Sequence, residues 1–235
     1  MLALAGSMVG GFAVNRLFTV DSGGRRSEDG AMPEPDPSPS PSVYQLRVVL
    51  SEISPLIWRR LLVRSDTTLA DLHAALQVAF CWDGFHLHRF KVHGREYEGV
   101  YDTRQVRLAD LGLRVTERFV YDYDFTDFWR HDIRVEQILA VEAGRTYPVC
   151  TGGRRAGPPE DCGGPWAYLE GRQRHDIFAM ASLLADMLGH PEALLGDYRD
   201  RLEELRPWLD LERFDARALN RALAGLPVLP KQRVA

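Results

Sequence analysis

Between Cys150 and Trp166 the chain reads CTGGRRAGPPEDCGGPW, with two Gly-Gly pairs and adjacent prolines at Pro158 and Pro159. Proline removes a backbone donor and fixes φ, and glycine weakens any regular element it sits in. The run is therefore expected to be a long shaped loop that neither helix nor strand crosses. A loop of this kind has to be held by packing, a metal or a ligand. It also divides the chain, because strand-like alternation precedes it and helical periodicity follows it.

Before the loop, Val43 to Leu50 and Ile57 to Val63 alternate as strands, with Ser54-Pro55 as the turn between them. Thr68 and Asp71 form a capping-box-like start. Leu69, Leu72, His73, Leu76 and Phe80 then recur at helical spacing, so an amphipathic helix is expected over 68–80. His86 to Val92 alternates again, with Arg95 to Gly99 as its hairpin partner, and Leu108 to Leu111 reads as a short helical step. Arg118 to Phe125 and Trp129 to Val141 are two further strands around a short acidic loop. Beyond the loop, Trp166 to Gly171 makes a turn or two. Ile177–Leu188, Pro191–Leu205 and Phe214–Leu223 read as helices whose apolar positions pack on the core. Trp58, Trp82, Trp129, Trp166 and Trp208 are expected as core or interface anchors. The order predicts an α+β fold, a mostly antiparallel sheet with one packed helix, followed by a helical C-terminal part.

Residues 1–42 form an expected disordered extension ending in a Pro/Ser linker, since 21–42 holds almost no large apolar side chain. The folded domain is expected over 43–226, with a disordered tail at 227–235. Met1 to Val14 is apolar but lacks a basic start and a cleavage site, and is too short to span a bilayer. With three cysteines and no disulfide framework, a cytoplasmic setting and no membrane partner are expected. A net charge of −4 gives no whole-chain attraction to nucleic acid, leaving only local basic patches.

Several ordered motifs resemble one family. They are Ser54-Pro55 with Trp58-Arg59-Arg60, Leu69 to His73, Trp82-Asp83 followed by His86, His88 and Phe90, and Tyr121 to Phe125 with Trp129 and His131. Pro158 to Trp166 and Phe214 to Leu223 complete the set. This pattern is similar to the plasmid pRi-type ORF-3 family (pRiA4b ORF-3-like), also met as the TnpR passenger of insertion elements. The resemblance covers about residues 43–225. It implies an α+β fold with the 68–80 helix on the sheet, an association with mobile elements, and no established activity. The chain departs from the family pattern at Gly157, where a cysteine is usual, and at Thr126, where glycine is usual.

Three kinds of chemistry are legible. Zinc prefers thiolate and imidazole, so Cys150, Cys162, His86 and His88 are candidate ligands, although no C-x-x-C spacing accompanies them. His86 and His88, two apart on a strand, are expected to share a face. For acid–base chemistry the candidates are Asp124, Asp127, His131, Glu160 and Asp161, with Asp122 expected on the same strand face as Asp124. For nucleic acid they are Arg59, Arg60, Arg154 and Arg155, with Tyr121, Tyr123, Phe125, Phe128 and Trp129 as stacking faces. Arg59 is also expected to pair with Glu160 or Asp161 and pin the loop. The leading expectation is a non-enzymatic binding module that contacts nucleic acid. The alternative is a metal-dependent or acid–base enzyme using the His, Asp and Cys residues of the same cleft.

Overall fold

The structure is a computed structural model that describes residues 41–190 and 197–227. Residues 1–40 of the expected N-terminal extension, the start of the Pro191 helix and the end of the C-terminal tail lie outside the described residues. Ser42, expected in the extension, already belongs to the sheet and pairs with Ala140. Strand β1 (Ser42–Leu50) pairs antiparallel with β2 (Trp58–Arg64), and helix α1 (Leu69–Phe80) follows. The capping box is formed as its residues require. The Asp71 backbone N–H donates to Thr68 Oγ1 at 3.1 Å, and the Thr68 N–H donates to the Asp71 carboxylate at 3.3 Å. The buried stripe Leu69, Leu72, Leu76 and Phe80 lies on the sheet. Each such side chain contributes roughly 1.5–3 kcal/mol when fully buried.

Strands β3 (His88–Val92) and β4 (Arg95–Glu98) form the expected hairpin, and helix α2 (Gly99–Gln105) is an element the residue pattern did not announce. After a 3-10 turn at Leu108–Leu111 come β5 (Arg118–Tyr123), β6 (Trp129–Ala140) and β7 (Val149–Arg154). Helices α3 (Gly164–Arg174), α4 (Ile177–Gly189), α5 (Asp197–Leu209) and α6 (Ala216–Ala224) end the described chain. The sheet has seven strands in the order β4-β3-β5-β6-β1-β2-β7, with every neighbouring pair antiparallel. The fold is α+β. None of the described helices is long and apolar enough to cross a membrane.

Strand β7 corrects the reading of the Gly-rich run as loop throughout. It pairs with β2 from Leu62↔Val149 to Trp58↔Arg154. Glycine is a poor strand residue when it has only solvent to face. Here a Cβ on Gly153 would lie 2.5 Å from the Phe214 ring, so the missing side chain is the space that ring fills. Non-local packing decides this, and composition does not report it. The far end of the run is helical as well, with Pro165 in the first turn of α3, where proline's missing N–H costs nothing. Only the stretch between β7 and α3 is loop. Pro207 likewise does not break a helix but sits inside α5, two residues from its end.

The C-terminal helices divide in behaviour. Leu219 and Leu223 of α6 join the core, and the Asn220 side chain both accepts from the Cys150 N–H and donates to the Cys150 carbonyl, at 2.7 and 2.9 Å. Helix α4 departs from its expected core packing: Phe178, Leu184 and Leu188 are exposed, and Met187 is its buried residue. Trp82 and Trp129 are core anchors, whereas Trp166 is 81% exposed and is not.

Candidate functional site

The helix-covered face of the sheet meets the remaining loop at the ends of β3, β5 and β6. Tyr123 pairs with His88, and one step further the Asp124 N–H donates to the Leu87 carbonyl at 2.9 Å. That register places Asp124 beside His86. The Thr126 N–H donates to Asp124 Oδ1 and the Phe128 N–H to the Asp124 carbonyl, closing a tight turn between β5 and β6. Asp124 takes a left-handed φ of 54°, which swings its carboxylate inward and leaves it 3% exposed. Thr126 is not among the residues of positive φ, so the turn does without the glycine usual there. Asp122 and Asp124 therefore do not share a face. Asp122 points to the opposite side of the sheet, within 3.5 Å of Arg89, Lys91 and Arg130.

The loop brings Asp161 to the same place. It is pinned by the Trp82 indole N–H, which donates to the Pro158 carbonyl at 3.0 Å, and by Glu160. One Glu160 oxygen accepts from the Tyr123 hydroxyl at 2.5 Å and the other from the Asp83 N–H at 2.6 Å. Burial, with Glu160 beside it, raises the Tyr123 phenol well above its ordinary range, so it remains a donor. Asp127 holds the other end by accepting from the Gly163 N–H at 2.9 Å. Glu160 and Asp127 are thus fasteners of the loop. Gly157 is fixed by close approach, since a Cβ there would stand 2.0 Å from the Phe80 carbonyl, so a cysteine at this position has no room.

With the loop seated, His86 lies between two carboxylates. Its Nε2 is 2.9 Å from Asp161 Oδ1 and its Nδ1 is 3.7 Å from Asp124 Oδ1. One donor atom each from His86, Asp124 and Asp161 lie within 4.8 Å of one another, and among the described residues this is the one such grouping of His, Cys, Asp and Glu. Asp161, like Asp124, has a left-handed φ. A cavity of about 370 Å³ adjoins, lined among others by His73, His86, His88, Thr103 and Arg104.

His88 takes a different role from His86, which precedes β3 and is not part of it. The His88 ring stacks on His73 with centroids 3.7 Å apart, and His73 Nδ1 is 2.6 Å from the Tyr121 hydroxyl. Burial lowers both imidazoles, His73 to about 3 with His88 adding to the effect. They form a neutral, stacked wall of the cavity. The helical spacing places His73 on α1 but does not foretell its partners, which lie on strands. His131 is fully buried against Phe80, Trp82 and Tyr121, and burial lowers it to about 4, so it is a neutral core residue and not a cleft group.

The cysteines stay outside the grouping. Cys150 is buried on β7, and burial raises its thiol. Burial and neighbouring Asp127 push Cys162 up to about 11, so neither offers a thiolate near neutral pH.

The arginine candidates scatter. Arg59 is 2% exposed; it donates to the carbonyls of Ala79, Trp58 and Arg154 and lies against Phe80 and Phe214. Its partners are carbonyls and rings, not Glu160 or Asp161. Burial pulls it down to about 10, which leaves it charged at neutral pH. Arg155 is buried, donating to the Leu56 carbonyl and pairing with Glu212, whereas Arg154 is exposed. Arg60 pairs with Glu136 on the opposite face of the sheet. Tyr121, Tyr123 and Trp129 are buried and cannot stack on a ligand in solution, while Phe125 and Phe128 remain exposed.

Residues 42–177, which include the three residues of the grouping, match the plasmid pRiA4b ORF-3-like protein family. The chain belongs to that family. Its relatives include the uncharacterized protein y4hQ of Sinorhizobium fredii, 34% identical over 141 residues that span 55% of this chain and 71% of that protein. The crystal structure of MM3350, a protein of unknown function from Methanosarcina mazei, superimposes with a TM-score of 0.58 at 32% identity. That likeness covers 76% of this chain and 98% of MM3350. Neither relative's name states a function, so the family places the fold and leaves the chemistry to the site.

Proposed function

We propose that this protein is a divalent-cation-binding module whose ion is held by His86, Asp124 and Asp161. The observation that carries this reading is the convergence of one imidazole and two carboxylates within 4.8 Å, on a loop and a strand end far apart in sequence. The two short contacts of His86 use different ring nitrogens, so one ion takes either Nε2 with Asp161 or Nδ1 with Asp124. The other carboxylate closes in from within the 4.8 Å grouping to the roughly 3–4 Å between donors that bonds of about 2.0–2.2 Å require. Nitrogen and oxygen donors without thiolate suit Zn²⁺ or Mn²⁺. Three protein ligands leave coordination positions open toward the cavity, where water or a small ligand with a donor atom completes the shell. Glu160, Asp127, Tyr123 and Trp82 hold the geometry by fixing the loop. The mobile-element association implied by the motifs adds no chemistry of its own, and the cation site makes a binding role the simplest reading.

Calorimetric titration of the chelator-treated full chain, made without affinity histidines, with Zn²⁺ and with Mn²⁺ tests the proposal. One ion per chain is expected. His86→Ala and Asp124→Asn are each expected to weaken binding by about 100-fold or more, against the 10–100-fold typical of groups that only orient a ligand. Cys162→Ser should bind as wild type. Absence of binding by the folded wild type, or retention of wild-type affinity in His86→Ala, overturns the reading.

A further inference from the structure

The face of the sheet opposite α1 carries a feature that folding alone does not require. Across β5, β6, β1 and β2, Arg118 pairs with Arg134, Arg134 with Arg47, and Arg47 with Arg60. Four arginines thus stand directly opposite one another on four consecutive strands. Arg118 and Arg134 are exposed, and Arg47 and Arg60 are half-buried. Like charges in facing positions oppose sheet formation. One carboxylate, Glu136, answers the row, held by Arg60. Among the described residues Arg118 and Arg134 form no ion pair. Arg47 makes no direct ion pair but helps Arg60 lower the Glu136 carboxyl, and its Nε is shielded from water without a hydrogen-bond partner. The Trp58 ring lies under the guanidinium groups of Arg47 and Arg60, at 5.2 and 5.4 Å, and holds them in place.

The other half of this face behaves differently. Arg89, Lys91 and Arg130 surround Asp122, and Glu96 and Glu98 add further acid, so that half is balanced. Positive charge in excess is confined to the row. With strands about 4.8 Å apart, the row spans roughly 14 Å. That is wider than a duplex major groove of about 12 Å, which admits one helix or a two-stranded ribbon. A single strand can instead lie across an open sheet with its phosphates on the arginines. The next row holds Val120, Asp132, Val49 and Trp58. The Asp132 carboxylate accepts from the Ser51 hydroxyl at 2.8 Å, and half-buried Val120 and Val49 are the apolar surfaces against which bases can rest.

We infer that this arginine row is a binding surface for single-stranded nucleic acid, with the phosphate backbone crossing strands β5, β6, β1 and β2. It uses the face opposite the cation cleft and does not depend on it. The test is fluorescence-anisotropy titration of the full chain with labelled oligothymidylate at several salt concentrations. Four phosphate contacts predict a log–log salt slope of about −2.8. Arg47→Gln combined with Arg134→Gln should reduce it to about −1.4 and weaken binding at least tenfold at low salt. Arg217→Gln with Arg221→Gln, on exposed positions of α6, makes the same change in net charge and should leave binding intact. Equal losses in both double variants, no binding by wild type, or preference for phosphatidylserine vesicles or duplex over the single strand overturns the inference.

Discussion

Arg59 and Arg60 are neighbours in the chain and opposites in the molecule. Strand alternation sends Arg59 into the helix-covered side, where carbonyls and aromatic rings receive it, and Arg60 to the open side, where Glu136 meets it in partial contact with water. The same division runs through the whole sheet. On the covered side polar groups are made neutral or are enclosed by fixed dipoles, as with His73, His88 and His131. On the open side they stay charged and answer one another, or wait for a partner. Beneath the helix a polar residue serves the fold, whereas a ligand can be met on the open face or, as at His86, Asp124 and Asp161, at the rim of the covered one.

The strongest break of this contrast is Arg59→Ala. It leaves the carbonyls of Ala79 and Arg154 without their donor and opens a cavity between Phe80 and Phe214, so a loss of about 3–4 kcal/mol is expected in urea unfolding. The pH dependence comes next. His131 is lowered in the folded state by burial to about 4, so the unfolded chain binds its proton first as the solution is acidified. Stability from this group is complete above the unfolded pKa of about 6.5 and is lost as pH falls from there toward 4. The full loss is about 3 kcal/mol. His131→Asn removes the titration, so its unfolding midpoint should vary less with pH across that window than the wild type's. The smallest effect belongs to Arg60→Ala. The Arg60–Glu136 pair is partly exposed, and its removal should cost less than about 1 kcal/mol by the same urea measurement. A loss as large as that of Arg59→Ala would erase the distinction between the two faces.

Local rules made much of the fold readable. The Thr68 box, the Leu69 to Phe80 stripe and the alternation of β1, β2, β5 and β6 are decided within a few residues, and their elements formed as expected. Strand β7 was not legible because its glycines are strand residues only where Phe214 and Trp58 fill the space beside them. Within the site, His86, Asp124 and Asp161 were recognisable as candidates by residue type. Their convergence depends on two left-handed aspartates and on a loop pinned by Trp82 and Tyr123, none of which leaves a periodic trace. The arginine row was hidden for a related reason. Arg47, Arg60, Arg118 and Arg134 are scattered along the chain and become a set only through strand register.

Strand β7 closes one side of the sheet, and its outward backbone would ordinarily invite another strand to add on. Asn220 prevents this at Cys150 by supplying both a donor and an acceptor from its amide, imitating one residue of a neighbouring strand. Helix α6 is therefore a guard against self-association as well as a part of the core. A chain that ended with the family match at residue 177 would keep its sheet sequence but lose this guard, exposing an edge open to growth by strand addition between molecules.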